Sequence, residues 1–322
     1  MTSRGVSRRD LLLGAGGAAL LAACRGGRSA ALRLGFMTNL PHAPVIAGVA
    51  SGRIERTLGV PVATLSFRSG PRVMEALFGG AIDVGVSGPS AIVFNNARHA
   101  PGTFRLLSGC CSGGASFVVS RASGIGGPAD LRGKTLASPQ IGTTQDISLR
   151  TYLRRHGHRP ADRGGDVTVT ALDSAAILAE MRRGALDGAW LAEPWATRVV
   201  REVDAVRLVD ERGLWPGRAF PTALVIARGD FARRQPALVA RLVDAVGAEI
   251  HRAQQSPGET LTVVGDELGR LVGKRLPRWL LDAAARFVDF TSDPLRGALD
   301  AVADDAYALG LAPRSSSRTL LG

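Results

Sequence analysis

The feature that most constrains this chain is a run that occurs twice. VMEALFGGAID, from Val73 to Asp83, returns as ILAEMRRGALD from Ile177 to Asp187. In each copy, apolar residues at helical spacing lead to a glycine and then to a strand opening Ala-(Ile/Leu)-Asp. A turn and a proline suited to a helix start follow. The same grammar surrounds both copies. Leu32 to Phe36, Val62 to Phe67 and Ile82 to Val86 read as strands around the first. Lys134 to Ala137, Val167 to Leu172 and Leu186 to Leu191 do so around the second. Strands alternating with helices predict α/β architecture with parallel, doubly wound sheets, and the repeated run predicts two similar lobes. A length of 322 residues agrees, because single cores stop growing at about 250–300 residues.

Between the strands the helices show their faces. Leu149, Tyr152, Leu153 and His156 fall at i, i+3, i+4 and i+7, a single buried stripe. After the second copy, the apolar, β-rich stretch from Ala219 to Ala227 is able to return the chain to the first lobe. The remainder reads as helices around 259–271, 278–287 and 292–309, a tail expected to pack on that lobe. The expected division is 31–120 with 225–322 for lobe 1, and 121–224 for lobe 2.

The amino terminus reads as an address. Arg8-Arg9 precede an apolar, small-residue stretch from Leu11 to Ala23. That stretch is well short of the roughly 20 apolar residues a membrane-crossing helix needs, so residues 1–23 read as a signal peptide. The paired arginines resemble a twin-arginine export signal. Leu21-Ala22-Ala23-Cys24 resembles a lipobox, which implies lipidation at Cys24, a tether over 24–30 and an extracytoplasmic, membrane-anchored location.

The net charge is +12, yet the arginines are scattered, and aromatic residues are only 5% of the chain. Nucleic-acid binders concentrate basic residues in stripes with aromatics between them, so no nucleic-acid partner is expected. The charge reads as solvated surface with some attraction for anions.

In open parallel sheets, ligands sit beyond the carboxyl ends of the strands, where helix N-termini point. The loops at those places run from Asn39 to Pro44, Ser69 to Gly70, Ser87 to Ser90, Gly142 to Asp146 and Trp190 to Trp195. They supply backbone N–H groups and the hydroxyls of Ser69, Ser87, Thr143 and Thr144, a set that holds an oxyanion without a full countercharge. The competing reading makes the same residues plain helix caps. Trp190 and Trp195 flank Glu193 and could form an apolar shelf, with Glu193 or Asp146 meeting a ligand amine. Trp190 could equally be core.

Enzyme chemistry has little support. Cys110-Cys111 is the one reactive-looking pair, with His42 as a conceivable partner, but both cysteines end an apolar strand-like stretch and read as packed hydrophobes. No P-loop, nucleophile elbow, G-x-G-x-x-G or metal-ligand cluster occurs, so no cofactor or metal is expected.

Several motifs carry a family likeness: Gly70-Pro71 with Glu75-Ala76-Leu77 and Gly80-Ala81-Ile82-Asp83; Asp130-Leu131-Arg132-Gly133-Lys134; Gly142-Thr143-Thr144-Gln145-Asp146; and Gly184 to Trp190 with Glu193-Pro194-Trp195. The mature chain resembles the ABC-importer solute-binding proteins of the aliphatic sulfonate, nitrate and taurine group. That resemblance implies a type II periplasmic-binding fold with crossover strands, hinges near 116–120 and 221–226, and partnership with membrane permease subunits. It implies a pocket of Asn39, His42, Ser69, Gly70, Ser87, Gly88, Gly113, Thr143, Thr144, Gln145, Trp190 and Glu193. The protein is then expected to be a monomer capturing a small organic sulfonate or similar oxyanion. The alternatives are a neutral pyrimidine or vitamin precursor as ligand, or a cofactor-biosynthesis enzyme on the same fold.

Overall fold

The computed structural model describes residues 32–314 and Leu320; the expected signal, Cys24 and tether lie outside the described residues. Lobe 1 begins with β1 (Leu32–Met37), α1 (Ala43–Ala50), α2 (Arg53–Leu58), β2 (Val62–Phe67), α3 (Gly70–Phe78), β3 (Val84–Ser87), α4 (Pro89–Arg98) and β4 (Phe104–Gly113). Lobe 2 holds β5 (Ala115–Ser120), β6 (Thr135–Ser138), α5 (Thr144–Arg155), β7 (Thr168–Ala171), α6 (Ser174–Arg182), β8 (Gly188–Ala192), α7 (Trp195–Glu202) and β9 (Ala205–Asp210). The chain then returns through β10 (Pro221–Arg228), α8 (Gly229–Arg234), α9 (Pro236–Gln255), α10 (Pro257–Val272), α11 (Arg278–Ala285), β11 (Val288–Phe290) and α12 (Arg296–Ala308). Among the described residues no helix is long and apolar enough to cross a membrane.

The sheets run β11-β4-β10-β3-β1-β2 and β7-β6-β8-β5-β9. The strands from strand–helix units pair in parallel, β1 with β2 and β3, and β6 with β7 and β8. The crossover strands pair antiparallel, so both sheets are mixed rather than purely parallel. Apolar residues of β1, β3 and β10 are buried with those of α1, α9 and α10, so the helical tail closes one face of the first sheet.

The repeated run has a structural cause. Both copies end a helix on a left-handed glycine, Gly80 (φ 73°) and Gly184 (φ 72°). Both then place an aspartate against a neighbouring strand. Asp83 donates its N–H to Arg33 O and accepts from Arg33 N at 3.0 Å; Asp187 donates to Thr135 O and accepts from Thr135 N at 2.7 Å. In each lobe the helix–Gly–Asp run therefore registers a strand of the first βαβ pair.

The lobes change places earlier than the expected divisions at 120 and 225. Ala115–Ser120 pairs inside the second sheet and Pro221–Arg228 inside the first, so the crossings fall at Gly113–Gly114 and between Asp210 and Pro221. Gly113 and Gly114 both have left-handed backbones (φ 69° and 73°), and a Cβ on Gly114 would stand 2.6 Å from Val288 Cγ1. Those glycines turn the chain without breaking the apolar pattern that joins β4 to β5, which is why the pattern did not reveal the crossing. His156 also departs from the expected buried stripe. It follows the last turn of α5, is exposed, and packs edge-on against Tyr152 at 4.5 Å.

Candidate functional site

Three helix starts from both lobes meet where the sheets face each other. α3 begins after Ser69, α4 after Gly88 and α5 after Thr143; neither the Ser69 nor the Thr143 side chain bonds its own helix, and Gly88 has none to offer. Most α-helices of the described residues likewise lack a side-chain cap, with Asp173, which accepts from Ala175 N and Ala176 N to cap α6, as the exception, so it is the convergence of these three starts that sets them apart. The first-turn N–H groups of a helix have no intrahelical acceptor. Here they are left uncapped on three helices that converge. Gly70 and Gly88 allow the close approach. A Cβ on Gly70 would lie 3.0 Å from Ser87 Oγ, and one on Gly88 only 2.7 Å from Thr144 Oγ1. Ser90 Oγ and Thr144 Oγ1 stand 3.2 Å apart across the lobes. Thr143 uses its hydroxyl on Gln140 O at 2.7 Å, and Gln145 is half-buried beside it. The arrangement presents partial positive charge without a cation.

The loop after β1 adds two buried, unpartnered polar atoms, Asn39 Oδ1 and His42 Nε2. His42 Nδ1 accepts from Met37 N at 3.2 Å, so the proton of the neutral ring sits on Nε2. Burial lowers the imidazole to about 3, so His42 is a neutral donor at physiological pH. The adjacent Leu40 N–H donates to Glu193 O at 3.2 Å, which docks this loop on lobe 2.

The remaining expected site residues have structural tasks. Asp146 accepts from Ser138 Oγ (2.8 Å), Gly142 N (2.9 Å) and Arg150 Nε (2.9 Å), and so shapes the loop instead of facing a ligand amine. Glu193, fully buried, accepts from Arg207 Nη2 at 2.7 Å and Thr197 N at 3.0 Å. Burial raises the Glu193 carboxyl, opposed by Arg207 and Thr197. Trp190 is core: it stacks on Phe117 at 5.6 Å and donates Nε1–H to Glu211. Trp195 packs on the second lobe's core, with Arg198 5.1 Å over its ring. Gly113 belongs to the crossing, where its N–H donates to Phe220 O at 2.8 Å and its carbonyl accepts from Thr222 Oγ1.

Cys110 and Cys111 lie fully inside β4 as free, packed thiols. Burial pushes the Cys110 thiol up to about 12, and Cys111 is raised further by burial and its neighbour's charge. Because the thiolate is the reactive form, neither is expected to alkylate with iodoacetamide at pH 8 in folded protein, while both label in urea. Peptide mass spectrometry reads this directly, and rapid native labelling would contradict the packing.

Two lobes crossing twice and closing over uncapped helix starts define the two-lobe periplasmic-binding-protein fold. The chain belongs to the NMT1-like family, whose sequence pattern matches residues 25–260. It is similar to the taurine-binding periplasmic protein of Escherichia coli, 29% identical over 197 residues, which are 61% of this chain and 58% of that protein's length. In fold it is similar to the alkanesulfonate-binding protein SsuA of Xanthomonas axonopodis bound to MOPS, with TM-score 0.76, 21% identity and coverage of 92% of this chain and 99% of that one. It is also similar to the periplasmic nitrate-binding protein NrtA of Synechocystis, with TM-score 0.74, 16% identity and coverage of 89% and 83%.

Proposed function

We propose that this protein is an extracytoplasmic receptor, anchored through Cys24, that captures a small organic sulfonate or similar oxyanion by hinge closure. It then delivers the solute, as a monomer, to the permease of an ABC importer. The observation that carries the reading is the convergence of three uncapped helix N-termini at Gly70, Gly88 and Thr144, from both lobes. A tetrahedral oxyanion matches such a site: its oxygens accept several N–H bonds, and an uncompensated cation is not needed for reversible capture. The similarity to taurine- and alkanesulfonate-binding proteins supports the same solute class. The Asn39 acceptor and the neutral His42 donor favour one second reading, a neutral heterocycle held by paired hydrogen bonds.

Thermal melting in the presence of candidate solutes separates the two. At 100 times Kd, a solute that binds only the folded form adds about 2.7 kcal/mol, a rise of several degrees for a protein of this size. Alkanesulfonates or taurine are expected to produce it. A shift with pyrimidine precursors alone would replace the oxyanion reading, and no shift with any of them would end the receptor reading.

A further inference from the structure

The buried acidic side chains among the described residues are Asp83, Asp146, Glu193, Glu211, Glu249 and Asp305. Five of them lie against an arginine, as Glu193 does against Arg207. Glu211 does not. It is 1% exposed, and its carboxyl meets the Trp190 indole N–H at 2.9 Å and the Ser148 hydroxyl. Ser148 Oγ has one proton to give and two acceptors in reach, the Thr144 carbonyl at 2.9 Å and Glu211 Oε1. Both contacts are hydrogen bonds only when Glu211 carries a proton and donates it to Ser148, which then donates to Thr144 O. The other carboxyl oxygen still accepts from Trp190. The surroundings therefore serve the neutral form fully, and burial pushes the Glu211 carboxyl up to about 7.

This chain of bonds ends at the solute site. Thr144 opens α5, and its Oγ1 stands 3.2 Å from Ser90 Oγ across the lobes. Ser148 is one turn further on, so an oxyanion at the starts of α4 and α5 lies roughly 10 Å from the Glu211 carboxyl. Thr144, Ser148 and Glu211 share the wall of a cavity of about 50 Å³ with apolar side chains such as Ile147, Leu214 and Phe220. At that separation, with an effective dielectric of about 20, two like charges change each other's binding equilibria by about tenfold. The charged groups around Glu211 are closed on one another. Arg154 and Arg155 of α5 bind Asp305 of α12 at 3.1 and 3.0 Å. Arg207 of β9 is committed to Glu193. Asp210 is held by Arg212, which also reaches Asp289, with Arg218 3.7 Å away. Burial raises the Tyr152 phenol and the two β4 thiols, so these stay neutral. His156, exposed at the cavity wall, is the remaining titratable side chain.

We infer that Glu211 is a proton-binding site coupled to solute capture: an oxyanion held at the starts of α4 and α5 draws a proton onto the Glu211 carboxyl. This rests on the oxyanion reading above and adds the regulation of that site. Below its own titration Glu211 is neutral and does not oppose the anion. As pH rises through about 7 the carboxylate forms, and affinity falls by about tenfold before it levels. Near pH 7.5, midway between the free and the solute-raised titration, binding takes up about half a proton per site.

Ethanesulfonate, butanesulfonate and nitrate are suitable probes, because all three stay fully ionised between pH 6 and 9. Calorimetric titration in bis-Tris and Tris, free of sulfonate buffers, gives the affinities, and a pH electrode in weakly buffered solution counts the protons. Wild-type protein is expected to bind about tenfold more tightly at pH 6 than at pH 9 and to take up protons near pH 7.5. Glu211→Gln, neutral at every pH, is expected to keep the wild-type pH 6 affinity at both pH values with no proton uptake. His156→Gln is expected to keep the wild-type slope and uptake, and with wild type it decides the matter even where the glutamine variant at 211 fails to fold. Binding with no proton uptake and no weakening at pH 9, a slope that survives Glu211→Gln, or a slope lost in His156→Gln overturns the inference and leaves the oxyanion reading standing. If none of the three anions binds at either pH, the oxyanion reading falls and the inference with it.

Discussion

Gly88→Val is expected to weaken solute binding about 100-fold while leaving the unliganded protein folded. Gly88 has an ordinary extended backbone (φ −73°, ψ 156°), so valine meets no backbone strain there. The obstacle is across the cleft. A Cβ would already stand 2.7 Å from Thr144 Oγ1 and 3.7 Å from Thr222 O, and valine adds two methyl groups at that point. Overpacking of this kind costs about 1–3 kcal/mol, and two decades of affinity correspond to about 2.8 kcal/mol. In an open molecule the methyl groups face solvent, so the penalty falls on closure and not on folding. Calorimetric titration and thermal melting of the same sample separate these effects. Unchanged affinity in Gly88→Val would mean that the two helix starts do not meet around the solute.

Glu193→Ala is expected to destabilise the protein by about 3–5 kcal/mol, the cost of leaving a buried partner uncompensated. The carboxylate is fully buried, and Arg207 opposite it is largely so. Arg207 also reaches Ser116 Oγ, donates to Thr197 Oγ1 at 3.1 Å, and stands 3.5 Å over the Phe287 ring of lobe 1. Removing the carboxylate unpairs a cation that ties lobe 2 to lobe 1, and it strips an acceptor from the first turn of α7. Urea unfolding reads the loss through its midpoint. A stability close to wild type together with abolished solute binding would return Glu193 to the ligand site.

The contrast between these residues shows what the sequence makes visible. Helix starts are local: glycine, hydroxyl and proline at Ser69-Gly70-Pro71, Ser87-Gly88-Pro89 and Thr143-Thr144 follow strand ends, and the structure brings those loops together. The repeated run is local as well, because the same glycine turn and strand-registering aspartate occur in both lobes. Charge partnership is not local. Glu193 sits in a promising loop, but the arginine that neutralises it comes from β9 at position 207, and only folding shows that the pair is closed, whereas the Asp146–Arg150 pair is i,i+4 on one helix. Glu211 is the converse. It lies between β9 and β10 with no motif around it, and only folding buries its carboxyl against the Trp190 indole and the Ser148 hydroxyl. Trp190 was ambiguous for a related reason: a tryptophan ending a strand fits a cleft wall or a core, and stacking on Phe117 decides for the core. β9 and β11 are hard to see in the sequence because the first, AVRLVD, has an arginine among its apolar residues and only Ala205 buried, while the other strand spans only three residues.

The most direct measurement is the crystal structure of the protein with 2-bromoethanesulfonate, located by the anomalous signal of bromine. The sulfonate oxygens are expected to accept from backbone N–H groups at the starts of α4 and α5, beside Gly88 and Thr144. A sulfonate bound away from those helix starts, or a closed cleft with no sulfonate at saturating concentration, would contradict it.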